Sequence, residues 1–150
     1  ADPADKPSDC ATLTRQPRRV ILSPLSMAAN PTPTILIVDD DEEFCREFRD
    51  MLVNCGYVAE YCCDPDLVLD AEEQFCPDAV FIDLWLRGQD GLHVAWQLTM
   101  ANEVVQLFVM SGDHHRLRCA VRERSCVTGF LEKPFDRMTV SALLRSQRSA

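Results

Sequence analysis

Short apolar runs in this chain each end on a polar or charged residue, and that repeat restricts the folds open to it. Ile35 to Val38 leads into Asp39 and Asp40, Ala79 to Ile82 into Asp83, Leu107 to Met110 into Ser111, and the segment Gly129 to Glu132 into Lys133. A continuous run of branched apolar residues suits a strand buried on both faces, as in a parallel sheet covered by helices. The carboxyl ends of such strands share one edge, and open parallel sheets bind their ligands there. Residues far apart in sequence are therefore expected to meet in one crevice.

The segments between these runs read as helices. Asp41-Glu42-Glu43 opens the first, with acids where the helix dipole favours them, and Gly56 is placed to end it. Phe44, Phe48, Met51 and Leu52 mark its apolar stripe. A strand is expected over Tyr57 to Cys62, and a helix from Pro65 to about Phe75. Asp78 to Ile82 is the third strand, followed by a loop containing Gly88. Asp90-Gly91 starts a helix carrying Leu92, Ala95, Trp96 and Leu98. The fourth and fifth strands are expected over Val104 to Met110 and Val127 to Leu131. Between them lies a helix from about His114 to Ser125. The last helix runs from Phe135 to about Gln147, with Met138, Val140, Leu143 and Leu144 inward. Five strands alternating with five helices form a doubly wound α/β fold, with right-handed crossovers placing helices on both faces.

Size and composition narrow the classes. The 150 residues suit one domain, and 47% apolar residues suffice for a core. Residues 1–33 hold most of the nine prolines and no sustained periodicity, so they read as a flexible leader before a domain over 34–150. Met27 is a candidate start. The stretch Arg18 to Ala29 is too short and too broken by Pro24 for a secretory signal, and no apolar run nears the ~18 residues of a membrane span. A soluble, cytoplasmic protein is expected. The net charge of −9 argues against nucleic-acid binding by this domain. The eight cysteines show no pair at zinc-knuckle or redox spacing, and most are expected as buried, reduced thiols, with Cys10 or a surface thiol open to oxidation.

The site residues form a chemical set. Asp39, Asp40 and Asp83 would repel one another without a counter-charge. Magnesium, which takes one or two carboxylates, waters and a phosphate oxygen, would resolve this. Taken alone, the Asp39–Asp41 run could be no more than a solvated helix start. A carboxylate at the end of a central strand, as Asp83 is, can act as a nucleophile towards phosphorus. Ser111 can donate to a phosphoryl oxygen. Lys133 supplies a point charge, in a chain with two lysines against thirteen arginines.

Residues 34 to about 147 resemble the receiver domain of two-component response regulators, of the chemotaxis type. The resemblance is carried by ILIVDDDEEF, DAVFIDLWLRGQDGL, LFVMSGD and GFLEKPF in that order. It implies a flavodoxin-like sheet of strand order 2-1-3-4-5. It implies Asp83 as phospho-acceptor, and Asp39, Asp40, Asp83 and the Trp85 backbone carbonyl around Mg2+, with Mn2+ a substitute. It further implies Ser111 as the switch hydroxyl, Lys133 as the phosphate-binding lysine, Phe130 as the switch aromatic and a cis Lys133–Pro134 bond. The implied partners are a sensor histidine kinase or phosphotransfer protein, a downstream effector or output domain, and a second copy in a homodimer. A phospho-acceptor of this kind is not a turnover enzyme.

Three positions depart from the family pattern or are particular to this chain. Arg87 stands where a proline is usual. Trp85 and Asp113 lie two residues after the acceptor and the switch hydroxyl, on the rim. Trp85 is expected to hinder water and prolong the phosphorylated state, and Asp113 to deter anionic donors modestly. Two other classes compete. A metal-dependent phosphatase or hydrolase would need an acid–base group near the nucleophile, and His93, His114 and His115 do not directly follow the acceptor strand. A flavin-binding carrier would need a phosphate-cradling loop after the first strand, where this chain has three aspartates.

Overall fold

The structure, a computed structural model, describes residues 32–102, 105–122 and 126–146. Residues 1–31 of the leader, with Cys10 and Met27, and Val104, Ser125 and Gln147 lie outside these residues.

The elements follow the predicted alternation: β1 (Thr34–Val38), α1 (Glu42–Asn54), β2 (Val58–Cys62), a 3-10 turn (Pro65–Leu67) running into α2 (Val68–Phe75), and β3 (Ala79–Asp83). Next come β4 (Trp85–Leu86), β5 (Gln89–Asp90), α3 (Gly91–Ala101), β6 (Gln106–Ser111), α4 (His114–Arg122), β7 (Gly129–Glu132) and α5 (Arg137–Ser146). The main sheet is parallel with order β2-β1-β3-β6-β7. That is the expected 2-1-3-4-5 once β4 and β5, which pair only with each other, are set aside.

Period-2 alternation divides the strands between two layers. Ile35, Ile37, Phe81, Phe108 and Met110 pack against Phe48 and Leu52 of α1 and Val140 and Leu144 of α5. Leu36, Val38, Val80 and Ile82 face the other way, against Val68 of α2 and Val94 and Leu98 of α3. Val109 and Leu84 meet Ala120 of α4 on that same side. Each large side chain fully buried this way contributes about 1.5–3 kcal/mol.

Local chemistry sets the boundaries. Asp41 caps α1, its carboxylate accepting from the Phe44 N–H at 3.1 Å, and Gly56 takes φ +89 just beyond the helix. Asp90 caps α3, accepting from the Leu92 N–H at 2.9 Å. Gly91 is required at the next position. A Cβ there would lie 2.0 Å from the Asp83 carbonyl oxygen, so α3 can press on the end of β3 only through a glycine.

Several expectations need correction. The loop after Asp83 is a two-stranded antiparallel ribbon, turned by Arg87 at φ +42 and Gly88 at φ +81. Two consecutive left-handed residues are what a two-residue hairpin turn demands. Met138 is 68% exposed, so it does not belong to the inner face of its helix. Trp96 is 51% exposed and stacks on His93 at 6.0 Å. β7 begins two residues later than expected, and α5 begins at Arg137 because Asp136 caps it, accepting from the Thr139 N–H at 2.8 Å. The cysteine side chains are less buried than expected: Cys45 and Cys62 are buried, Cys55, Cys63 and Cys126 half-buried, and Cys76 and Cys119 exposed.

Candidate functional site

The carboxyl edge of the sheet brings together most of the predicted residues. Asp39 follows the last residue of β1, Asp83 ends β3, Ser111 ends β6 and Lys133 follows β7. Lys133 organises the carboxylates. Its Nζ lies 2.5 Å from Asp39 Oδ2 and 2.7 Å from Asp83 Oδ2. The same ammonium sits 4.0 Å above the centroid of the Phe44 ring. This cation–π contact was not read from the sequence, where Phe44 counted only as core. Its position one turn after Asp40, on the helix that leaves this edge, was the available signal. The Lys133–Pro134 bond is cis, as the resemblance implied.

Each carboxylate is also fixed by backbone. Asp39 Oδ1 accepts from the Asp41 N–H at 3.0 Å, Asp83 Oδ1 from the Trp85 N–H at 2.8 Å, and Asp40 Oδ2 from the Arg87 N–H at 3.2 Å. The last bond accounts for the departure at Arg87. Proline has no N–H and holds φ near −65°, so it could neither make this bond nor adopt the observed φ of +42.

Charge in the site is unbalanced, with three carboxylates facing one ammonium. Asp39 is 1% exposed. Burial raises its pKa to about 6, against the opposing hydrogen bonds from Lys133 and the Asp41 N–H. Burial works to lower the Lys133 pKa, but its bonds to Asp39 and Asp83 outweigh this and hold the ammonium above its ordinary range. Lys133 is therefore charged at neutral pH, and the remaining excess is negative. Among the described residues no three Asp, Glu, His or Cys side chains already form a metal-holding cluster. The donor set nevertheless fits a hard cation that keeps much of its water. Asp39, Asp40 and Asp83 present only oxygens, and a carboxylate that accepts one or two hydrogen bonds retains lone pairs.

The remaining candidates stand around this core. Ser111 is 5% exposed, and its hydroxyl accepts from the Asp113 N–H at 3.0 Å and faces the Asp113 carbonyl at 3.4 Å. The hydroxyl's bonds run to its own loop, while the Ser111 carbonyl accepts from the Lys133 backbone N–H at 2.8 Å. Phe130 is half-buried against Leu84, Val109 and Ala120, inside the packing under α4. Asp113 differs from expectation. Its carboxylate accepts from the Arg116 and His115 N–H groups, at 3.1 and 2.9 Å, and lies 3.5 Å from Arg116 Nε. Those backbone bonds, the one from Arg116 foremost, hold its pKa below the ordinary value. Asp113 is thus a helix cap with its own counter-charge, and an uncompensated rim charge is not what it supplies. The histidines engage elsewhere: His114 Nε2 is 2.8 Å from Glu132 Oε1, His93 is stacked on Trp96, and His115 is 4.0 Å from Cys119 Sγ.

Residues 35–145 match the response regulator receiver domain, and the chain belongs to that family. Among curated relatives it is 32% identical over 111 residues to the nitrogen assimilation regulatory protein NtrX of Azorhizobium caulinodans, covering 71% of this chain and 24% of that protein. It is 31% identical over 117 residues to the response regulator MprA of Mycolicibacterium vanbaalenii, covering 75% of this chain and 48% of that one. The chain thus spans half or less of these relatives. A CheY-like response regulator receiver domain from Methylobacillus flagellatus superposes with a TM-score of 0.69 at 29% identity, covering 77% of this chain and 98% of that one. The chain is therefore a receiver domain of the response regulators of two-component systems.

Proposed function

We propose that this domain, residues 34–150, takes a phosphoryl group onto Asp83 from the phosphohistidine of a sensor histidine kinase or phosphotransfer protein, or from a small phosphodonor. The observation that carries this reading is Lys133 bridging Asp39 and Asp83 at 2.5 and 2.7 Å. An Asp83 carboxylate oxygen attacks phosphorus, the bond from phosphorus to the donor breaks, and the donor keeps its electron pair. Lys133 then faces the transferred group and offsets its charge, so that positioning and electrostatics do most of the work. Asp39, Asp40, Asp83 and the Trp85 carbonyl would hold Mg2+, with Mn2+ as a substitute, which when bound supplies positive charge to the phosphoryl oxygens. Ser111 exchanges its loop partner for a phosphoryl oxygen, Phe130 changes rotamer beside it, and the altered surface is read by an effector, an output domain or a second copy of the chain. Such a domain signals without turning over a substrate. Its expected place is the cytoplasm, and no helix among the described residues is long and apolar enough to cross a membrane. Incubation with Mg2+ and acetyl phosphate should add the mass of one phosphoryl group to the intact chain and none to Asp83→Asn. An equal gain in Asp83→Asn would remove the assignment.

A further inference from the structure

The rim of the site carries a contact that the phospho-acceptor chemistry does not itself require. The Arg116 guanidinium lies over the Trp85 indole, 4.7 Å from the ring centroid. Trp85 stands on the ribbon after β3, Arg116 in the first turn of α4 after β6, and β3 and β6 are adjacent strands. The contact therefore crosses the gap between the end of the strand bearing Asp83 and the end of the strand bearing Ser111. Both ends are tied to the site. The Trp85 N–H donates to Asp83 Oδ1 at 2.8 Å, and Arg116 Nε lies 3.5 Å from Asp113, whose N–H donates to the Ser111 hydroxyl at 3.0 Å. A chain of contacts thus links acceptor to switch hydroxyl around the rim. Trp85 is 51% exposed, and the guanidinium covers a face of its ring. A planar guanidinium is suited to stacking on an aromatic face.

We infer that Arg116 is a positioning residue that pins the Trp85 indole across the mouth of the site and so slows the loss of phosphate from Asp83. The inference rests on Asp83 being the acceptor. In that loss a water oxygen attacks phosphorus and the bond between phosphorus and the Asp83 oxygen breaks. The carboxylate keeps the electron pair, and inorganic phosphate departs with the water oxygen as a proton is released. The attacking water must lie in line with the breaking bond. A ring held over the approach leaves fewer such arrangements, whereas a ring free to swing into solvent leaves more.

The test is the decay of phosphorylated protein after the phosphodonor is removed, followed by intact mass. Arg116→Ala is expected to decay about two- to five-fold faster than the parent, the factor that matches an exposed cation–π contact. Arg116→Lys, which keeps a cation, should restore part of the lifetime. In a Trp85→Ala chain, Arg116→Ala should have no further effect, because Arg116 acts through the indole. A second readout needs no phosphorylation. The chain has two tryptophans, so Trp96→Phe leaves Trp85 as the one tryptophan emitter, selected from the tyrosines by excitation at the red edge of the absorption band. Its fluorescence anisotropy should fall when Arg116→Ala is added. Unchanged decay, a full effect of Arg116→Ala in the Trp85→Ala chain, or unchanged anisotropy would each overturn the inference. A parent that gains no phosphoryl mass would overturn the assignment of Asp83 and with it the kinetic role of Arg116, while the anisotropy would still decide whether the ring is pinned.

Discussion

The Arg87 N–H donates to the Asp40 carboxylate at 3.2 Å, fastening the ribbon after β3 to the acidic end of β1. The bond depends on Arg87 adopting φ +42, a conformation open to glycine and closed to proline. Arg87→Pro should lower unfolding stability by about 1–3 kcal/mol through lost backbone geometry and an unpaired Asp40. Arg87→Gly should stay near the parent, since the side chain makes no part of the bond. Urea unfolding of the three proteins checks this, and equal stability of Arg87→Pro would show that the ribbon does not need the left-handed turn.

Gly91 should be irreplaceable for a related reason. A Cβ at this position would lie 2.0 Å from the Asp83 carbonyl oxygen and 2.9 Å from its carbonyl carbon, both backbone atoms that cannot swing aside. Gly91→Ala must displace either α3 or the end of β3. We expect a loss of about 1–3 kcal/mol from overpacking, accompanied by slower phosphorylation because the displaced segment carries Asp83, the proposed acceptor. Parent-like stability and rate together would contradict the close approach.

Lys133 should matter for more than its proposed contact with phosphate. Its removal leaves Asp39, at 1% exposure, without its cation. Breaking a buried pair from one side costs about 3–5 kcal/mol, an upper figure here because the Lys133 side chain itself is 20% exposed. Lys133→Ala should therefore melt lower than the parent at neutral pH. Millimolar Mg2+ should raise its melting temperature more than the parent's, since a cation that binds the folded state alone stabilises it. An identical Mg2+ response in both proteins would argue against a shared carboxylate site.

Asp136 gives a pH dependence of known sign. The Thr139 N–H and hydroxyl, each at 2.8 Å, hold its pKa below the ordinary carboxylate value. A depressed pKa in the fold means a contribution fully present above the unfolded value of about 3.9 and lost as pH falls through the folded one. The melting-temperature gap between parent and Asp136→Ala should be widest near neutrality and close in that acidic range. A gap that widened on acidification would reverse the assignment of Asp136 as an ionised cap.

The strand ends were legible because period and punctuation agree there: an apolar run, then a charged or hydroxyl residue, then a helix start. The site follows from those ends, which bring Asp39, Asp83, Ser111 and Lys133 to one edge of the sheet. What escaped lies where the signal is short or depends on tertiary partners. Two-residue strands such as Trp85–Leu86 carry no periodicity, and a left-handed arginine has no sequence signature. Apolar spacing assigned Met138 inward, although the sheet on that side is already covered by Val140 and Leu144. Phe44 under Lys133 and Arg116 over Trp85 join elements distant in sequence, and no local pattern announces such contacts. Asp113 was read for its charge, when its place just before α4 makes capping the stronger claim on its carboxylate.

The central claim is that Asp83, alone among the three neighbouring carboxylates, carries the phosphoryl group. An aspartyl phosphate is reduced by borohydride to homoserine, which marks the acceptor in a peptide map. After phosphorylation with acetyl phosphate and Mg2+, homoserine should appear at position 83 and at neither 39 nor 40. Homoserine at Asp39 or Asp40, or a phosphorylated chain with none at position 83, would contradict the account.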